Sequence, residues 1–126
     1  MKQRFLLFSI FVIIFNGCSK VEVIDLPITT SSPKALAYYK SAMLSFQVGD
    51  APEKRALLDS ALSIDPNFVM ALELYDSPDP ILKRKHRELA KKNVVNASQA
   101  ENKMISIRES YRNEDMDKAL ESAKWL

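Results

Sequence analysis

The stretch from Ser32 to Phe68 leaves room for few folds besides a helical hairpin. Ser32 precedes Pro33, and a hydroxyl cap followed by proline in the first helical position is a favoured helix start. Leu36, Tyr39, Met43 and Phe46 then recur at three- and four-residue spacing, which aligns them on one helix face. Ala35, Tyr38 and Ala42 widen that face. Gly49 follows, a residue free to take the positive φ that closes a helix. Asp50 stands three positions before Glu53, a capping-box spacing that opens a second helix. Leu57, Leu58, Ala61, Leu62 and Ile64 are its expected buried side. Asp65-Pro66 ends it, because proline bars the preceding residue from helical geometry.

The rest of the chain reads the same way. Only two glycines occur, Gly17 and Gly49. No strand-like alternation appears, and Ala, Leu, Lys, Glu and Ser are abundant, which predicts an all-α domain. Asn67 to Tyr75 reads as a third helix with Phe68, Ala71, Leu72 and Tyr75 on one face. Asp76-Ser77-Pro78-Asp79-Pro80 breaks the pattern, and Asp79 with Pro80 starts a helix running to about Asn93. Val94 to Ala97 connects to a further helix, where Ser98 and Glu101 form a second capping box. Met104, Ile105, Arg108 and Tyr111 continue it. A last helix begins near Asn113 to Asp115 and reaches Trp125-Leu126.

The chain also repeats itself. Ser45-Phe46 and Gly49-Asp50, followed by Lys54 and Ala56-Leu57, reappear as Ser110-Tyr111 and Glu114-Asp115, followed by Lys118 and Ala119-Leu120. The first pairs are offset by 65 residues and the last by 63. A hairpin with a short Gly-Asp turn, small residues at Ala42 and Ala61, and Pro66 five positions after Ala61 resembles the tetratricopeptide repeat (TPR). Two such units give an offset of roughly 68. In that family Lys54 is usually alanine, and Ser41 and Ser45 replace the usual leucine and tyrosine. The resemblance implies a short right-handed superhelix over residues 33–126, with units at about 33–66, a degenerate 67–97 and a partial 98–126. Such arrays usually end in a polar capping helix, whereas here the last helix carries Leu120, Ala123, Trp125 and Leu126. Either a partner or a swapped neighbour covers that face, or it packs back on the third helix, or the chain is a shortened form of a longer protein.

Ahead of the domain, Lys2 and Arg4 precede an apolar run from Phe5 to Phe15 and then Asn16-Gly17-Cys18. This run of eleven residues, broken only by Ser9, is too short to span a bilayer, which takes about 20. A charged start, a short apolar run and a small residue before the break make a secretory signal peptide over residues 1–17. The ending at Gly17 and Cys18 resembles the lipobox of bacterial lipoproteins, with Phe15 and Asn16 departing from its usual residues. The resemblance implies lipidation of Cys18 and a place in the cell envelope. Ser19, where some inner-membrane lipoproteins carry aspartate, points to the outer membrane. Two or three acyl chains anchor a protein stably. Residues 18–32 are then a tether of up to about 45 Å, unless Val21 to Leu26 packs on the domain as an extended arm. Removing residues 1–17 leaves sixteen basic and sixteen acidic residues, so global charge gives no case for nucleic acid. With Cys18, the one cysteine, used for the anchor, no disulfide forms and packing alone holds the fold.

No catalytic constellation appears: there is no Gly-rich phosphate loop, Ser-centred elbow or Cys-His pair. No cofactor or metal is expected, since His86 has no second histidine or cysteine near it. Asp76 and Asp79 flank prolines and read as turn and cap chemistry. Asn96-Ala97-Ser98 is a formal glycosylation sequon without meaning in a bacterium. The candidate contact residues are Tyr38, Ser41 and Ser45 on the first helix, and the basic run Lys83, Arg84, Lys85 and Arg87, continued by Lys91 and Lys92. That run is either a solvated helix face or a site for anionic headgroups or an acidic peptide. TPR-like repeats imply a protein or peptide partner. The expected function is therefore a membrane-anchored interaction scaffold and not an enzyme. Alternatives are an accessory part of outer-membrane biogenesis machinery, or a regulatory fragment of a larger sensor or hydrolase.

Overall fold

A computed structural model describes residues 27–124 of this chain. The expected signal peptide, Cys18, the tether up to Leu26, and Trp125-Leu126 lie outside the described residues. Within them the protein is all-α: α1 is Pro33–Gln47, α2 Ala51–Ile64, α3 Val69–Leu74, α4 Pro80–Asn93, α5 Gln99–Arg112 and α6 Met116–Ala123. A single 3₁₀ turn, Val94–Asn96, joins α4 to α5. The starts are where the caps predict them. Ser32 Oγ accepts from the Ala35 N–H, Asp50 from Glu53, and Asp79 from both Ile81 and Leu82. Ser98 and Glu101 form the full reciprocal box.

α1 and α2 pack as a hairpin, and so do α5 and α6. Their turns are built alike. Gly49 has φ +77° and Glu114 has φ +59°. The Asp50 N–H donates to Ser45 O at 2.9 Å, and the Asp115 N–H to Ser110 O at 2.9 Å. Asp115 caps α6 through the Lys118 N–H, as Asp50 caps α2 through Glu53. The 65-residue offset therefore holds from turn to cap. It reaches the first turn of the second helix in each hairpin, where Lys54 and Ala119 are both buried, and stops before Leu58, which is buried while Ala123 is exposed. The 63-residue match of Ala56-Leu57 to Ala119-Leu120 is not the structural one: Ala56 is exposed where Ala119 is buried.

The core lies between α1, α2 and α3. Ala35, Ala42, Leu58 and Ala61 have no exposed surface, so small residues let α1 and α2 approach closely. Tyr39 packs its ring on Phe68 with centroids 5.1 Å apart. All six residues of α3 are buried, as a helix in the middle of a domain must be. In α1 and α2 two positions differ from the periodic reading. Phe46 and Ile64 are exposed, because each stands at the last turn of its helix, where the chain is leaving the core.

The segment before α1 is bound to the domain. The Thr29 N–H donates to Glu101 Oε1 at 2.8 Å. Thr30 Oγ1 and the Ser31 N–H donate to Asp65 Oδ2 at 2.6 and 2.9 Å. Asp65 and Glu101 are both buried, and buried carboxylates need such donors. The last residues of the expected tether thus strap the first hairpin to α5. Burial alone would raise the Asp65 carboxyl, but hydrogen bonds from Thr30, Ser31 and Asn67 outweigh it and hold it below the ordinary value.

Replacing Asp65 with Ala strands the strap donors and should cost about 2 to 3 kcal/mol in urea unfolding. The carboxylate contribution is fully present above the ordinary Asp value and is lost as pH falls through the lower folded value, so the gap between native and D65A should close on acidification. At the turns, Glu114→Gly should stabilise by about 1 kcal/mol, because a non-glycine residue at positive φ is strained. Gly49→Ala should destabilise by a similar amount through the backbone alone, since a Cβ there meets nothing within 4 Å.

Candidate functional site

A buried charge marks the site. Glu73 lies on α3 with its side chain 2% exposed, because α3 is enclosed on all sides. Two residues of α5, one turn apart on the same face, neutralise it. Arg112 Nη1 and Nη2 each donate to Glu73 Oε2 at 3.1 Å. Arg108 Nε stands 3.9 Å from the same oxygen, and Arg108 Nη2 donates to the Glu73 backbone carbonyl at 3.2 Å. That carbonyl is among those a helix end leaves without an internal partner.

A cleft of about 370 Å³ opens beside this cluster. Five cations line it: Lys54, Lys83, Arg87, Arg108 and Arg112. Only two carboxylates do, Glu73 and Asp76. Asp76 pairs with Lys83, and that bond is the main reason its carboxyl sits below the usual range. Lys54 Nζ lies 5.1 Å from the centre of the Phe46 ring, a cation–π distance. Arg87 pairs with no carboxylate among the described residues. Phe46 and Tyr111 also line the cleft, and both residues are more than half exposed. They are the equivalent residues of the two hairpins, each just ahead of its turn. A narrower, mostly apolar pocket shares Phe46, Glu73, Leu74 and Arg108 and adds Met43, Met70 and Met104.

The residues singled out from sequence divide. Lys83 and Arg87 line the cleft; Arg84 and Lys85 are exposed elsewhere on α4. Tyr38 is half-buried against the core cluster, and Ser41 is exposed. Ser45 donates its hydroxyl to the Ser41 carbonyl at 3.3 Å. None of these three is among the cleft residues. Lys54, Glu73, Arg108 and Arg112 escaped the reading. The signal was there at Arg108 and Arg112, a pair of cations four apart on the face of α5 that Met104 and Ile105 begin. Glu73, an acid in the otherwise apolar run Val69–Leu74, was its natural counterpart.

His86 is separate from the cleft. It sits edge-on to Tyr75, with ring centres 4.2 Å apart at 79°. Burial pushes its pKa below the ordinary value. The Tyr75 hydroxyl donates to Asp59 Oδ1 at 2.7 Å, and burial together with that bond pushes the phenol up to about 12. Among the described residues no group of three His, Cys, Asp or Glu side chains is placed to hold a metal. No helix among them is long and apolar enough to cross a membrane. No family model matches the chain, and neither a curated protein nor a solved structure does.

Glu73→Ala removes the charge that both guanidinium groups face. Arg108 and Arg112 are themselves 42% and 29% exposed and can turn to water, so the loss should be about 2 kcal/mol, below that of a fully buried pair. Urea titration of the variant measures it, and Glu73→Gln, which keeps the shape, should lose less.

Proposed function

We propose that this chain is a lipoprotein of the bacterial envelope, anchored through Cys18, whose hairpins form a short TPR-like scaffold. It holds an acidic segment of a partner protein in the cleft between them. One observation carries this reading: five cations against two carboxylates around an open cleft, with one exposed ring from each hairpin. Such an imbalance draws acidic partners and speeds their encounter. The three methionines of the adjoining pocket offer a soft apolar surface for a side chain of the same segment. The twin turns at Gly49 and Glu114 support the repeat reading. The thiol of Cys18 beside Gly17 supports the anchor.

The test uses full-length protein extracted from membranes in detergent. Crosslinking and mass spectrometry should recover partner peptides rich in Asp and Glu with an apolar residue among them. Their binding should weaken with salt and fall by about tenfold on Arg87→Glu, while Lys34→Glu, outside the cleft, leaves it unchanged. Binding indifferent to Arg87→Glu would remove the cleft from the function. Intact mass should show residues 1–17 gone and a diacylglyceryl group on Cys18; a retained leader with a bare thiol would remove the anchor.

A further inference from the structure

The basic run of α4 has two faces with different surroundings. Lys83 and Arg87 line the cleft. Arg84, Lys85, Lys91 and Lys92 are exposed, and Lys91 has Glu109 3.6 Å away. The open side of the helix carries more than charge. Ile81, in its first turn, is 68% exposed, and Val95, in the turn that follows it, is 82% exposed. Ile81, Arg84, Lys85, Glu88, Lys92 and Val95 succeed one another at steps of three and four, apart from the adjacent Arg84-Lys85 pair. They form a single stripe, about 20 Å long from one apolar end to the other.

We infer that this stripe lies on an anionic phospholipid surface, with Ile81 and Val95 entering the headgroup boundary and Arg84, Lys85 and Lys92 meeting the phosphates between them. A lone exposed apolar residue needs no explanation. Two of them bracketing a cationic stripe on one helix match the chemistry of an interfacial helix, whose apolar residues sink while its long cations reach the headgroups. The shape decides between a bilayer and an acidic protein. A peptide is held in a groove or along a sheet edge, whereas this stripe is the convex outer side of a helix, which suits a plane. α4 would then face a bilayer with one set of cations and the cleft with the other. The inference depends neither on lipidation of Cys18 nor on what the cleft holds.

The test is lysine footprinting of full-length protein reconstituted in vesicles of phosphatidylcholine, with or without about one third phosphatidylglycerol. Anionic lipid should slow acetylation of Lys85 and Lys92 by about threefold or more relative to Lys34 and Lys118, and high salt should reverse it. Arg84→Glu, and separately Ile81→Ser with Val95→Ser, should each reduce the protection while the helical circular dichroism is unchanged. Equal labelling of Lys85 and Lys92 on the two kinds of vesicle would overturn the inference. So would equal protection of Lys34 and Lys118, which would mean unspecific adsorption. Protection by soluble polyglutamate that survives the two serine substitutions would reassign the stripe to an acidic protein. Binding of acidic peptides in the cleft is a separate readout, so either reading can fail alone.

Discussion

One buried carboxylate ties the second hairpin to α3. Glu73 is the charged member of a helix otherwise made of Val, Met, Ala and Leu, and an apolar residue there would spare the desolvation. Buried ion pairs gain little net stability over well-packed apolar substitutes. What an apolar residue would not do is hold Arg108 and Arg112 over α3. The pair fixes the rotation of α5 about its axis, and with it the direction in which its two guanidinium groups face. Using two cations for one acid leaves one excess cation at the cleft, and Lys54 and Arg87 add two more.

The strap acts on the opposite end of α5. Glu101 both closes its own capping box, accepting from the Ser98 N–H, and accepts from the Thr29 N–H. Asp65 ends α2 and accepts from Thr30 and Ser31. The Glu101 carboxylate, which closes a capping box, and the Asp65 carboxylate, at the end of α2, thus both hold the entering chain. α5 is held by Glu73 near its C-terminal end and by the strap at its N-terminal end. Few direct α1–α5 contacts are then needed to fix the walls of the cleft.

Helix limits were legible in the sequence because they are set by local chemistry: Ser32-Pro33, Gly49-Asp50, Asp79-Pro80 and Ser98–Glu101 each carry their own hydrogen bonds. The duplicated turn was legible for the same reason, although its register beyond Asp115 was not. Chemical likeness of Ala56-Leu57 to Ala119-Leu120 pulled the match two residues off, while burial pairs Lys54 with Ala119. The cleft was mostly illegible. It depends on Lys54, Glu73 and Arg112, which lie on three helices and are brought together by packing that no local pattern encodes. Phe46 fitted the apolar period of α1 as well as any core residue, and only its place at the last turn puts it in the cleft.

The basic run of α4 shows why counting charge along a chain misleads. Read in line, Lys83 to Lys92 is one cluster. At 100° per residue its members spread over different sides of the helix. Lys83 and Arg87 are four apart and share the cleft with Arg108 and Arg112. His86, between them in sequence, turns inward to Tyr75, and Arg84 and Lys85 point out to water. Each group then has a different dielectric and a different set of neighbours, which is what decides whether a cation binds, packs or is merely solvated. A charge reversal at Arg87 and one at Arg84 are therefore different experiments, though the residues stand three apart on one helix.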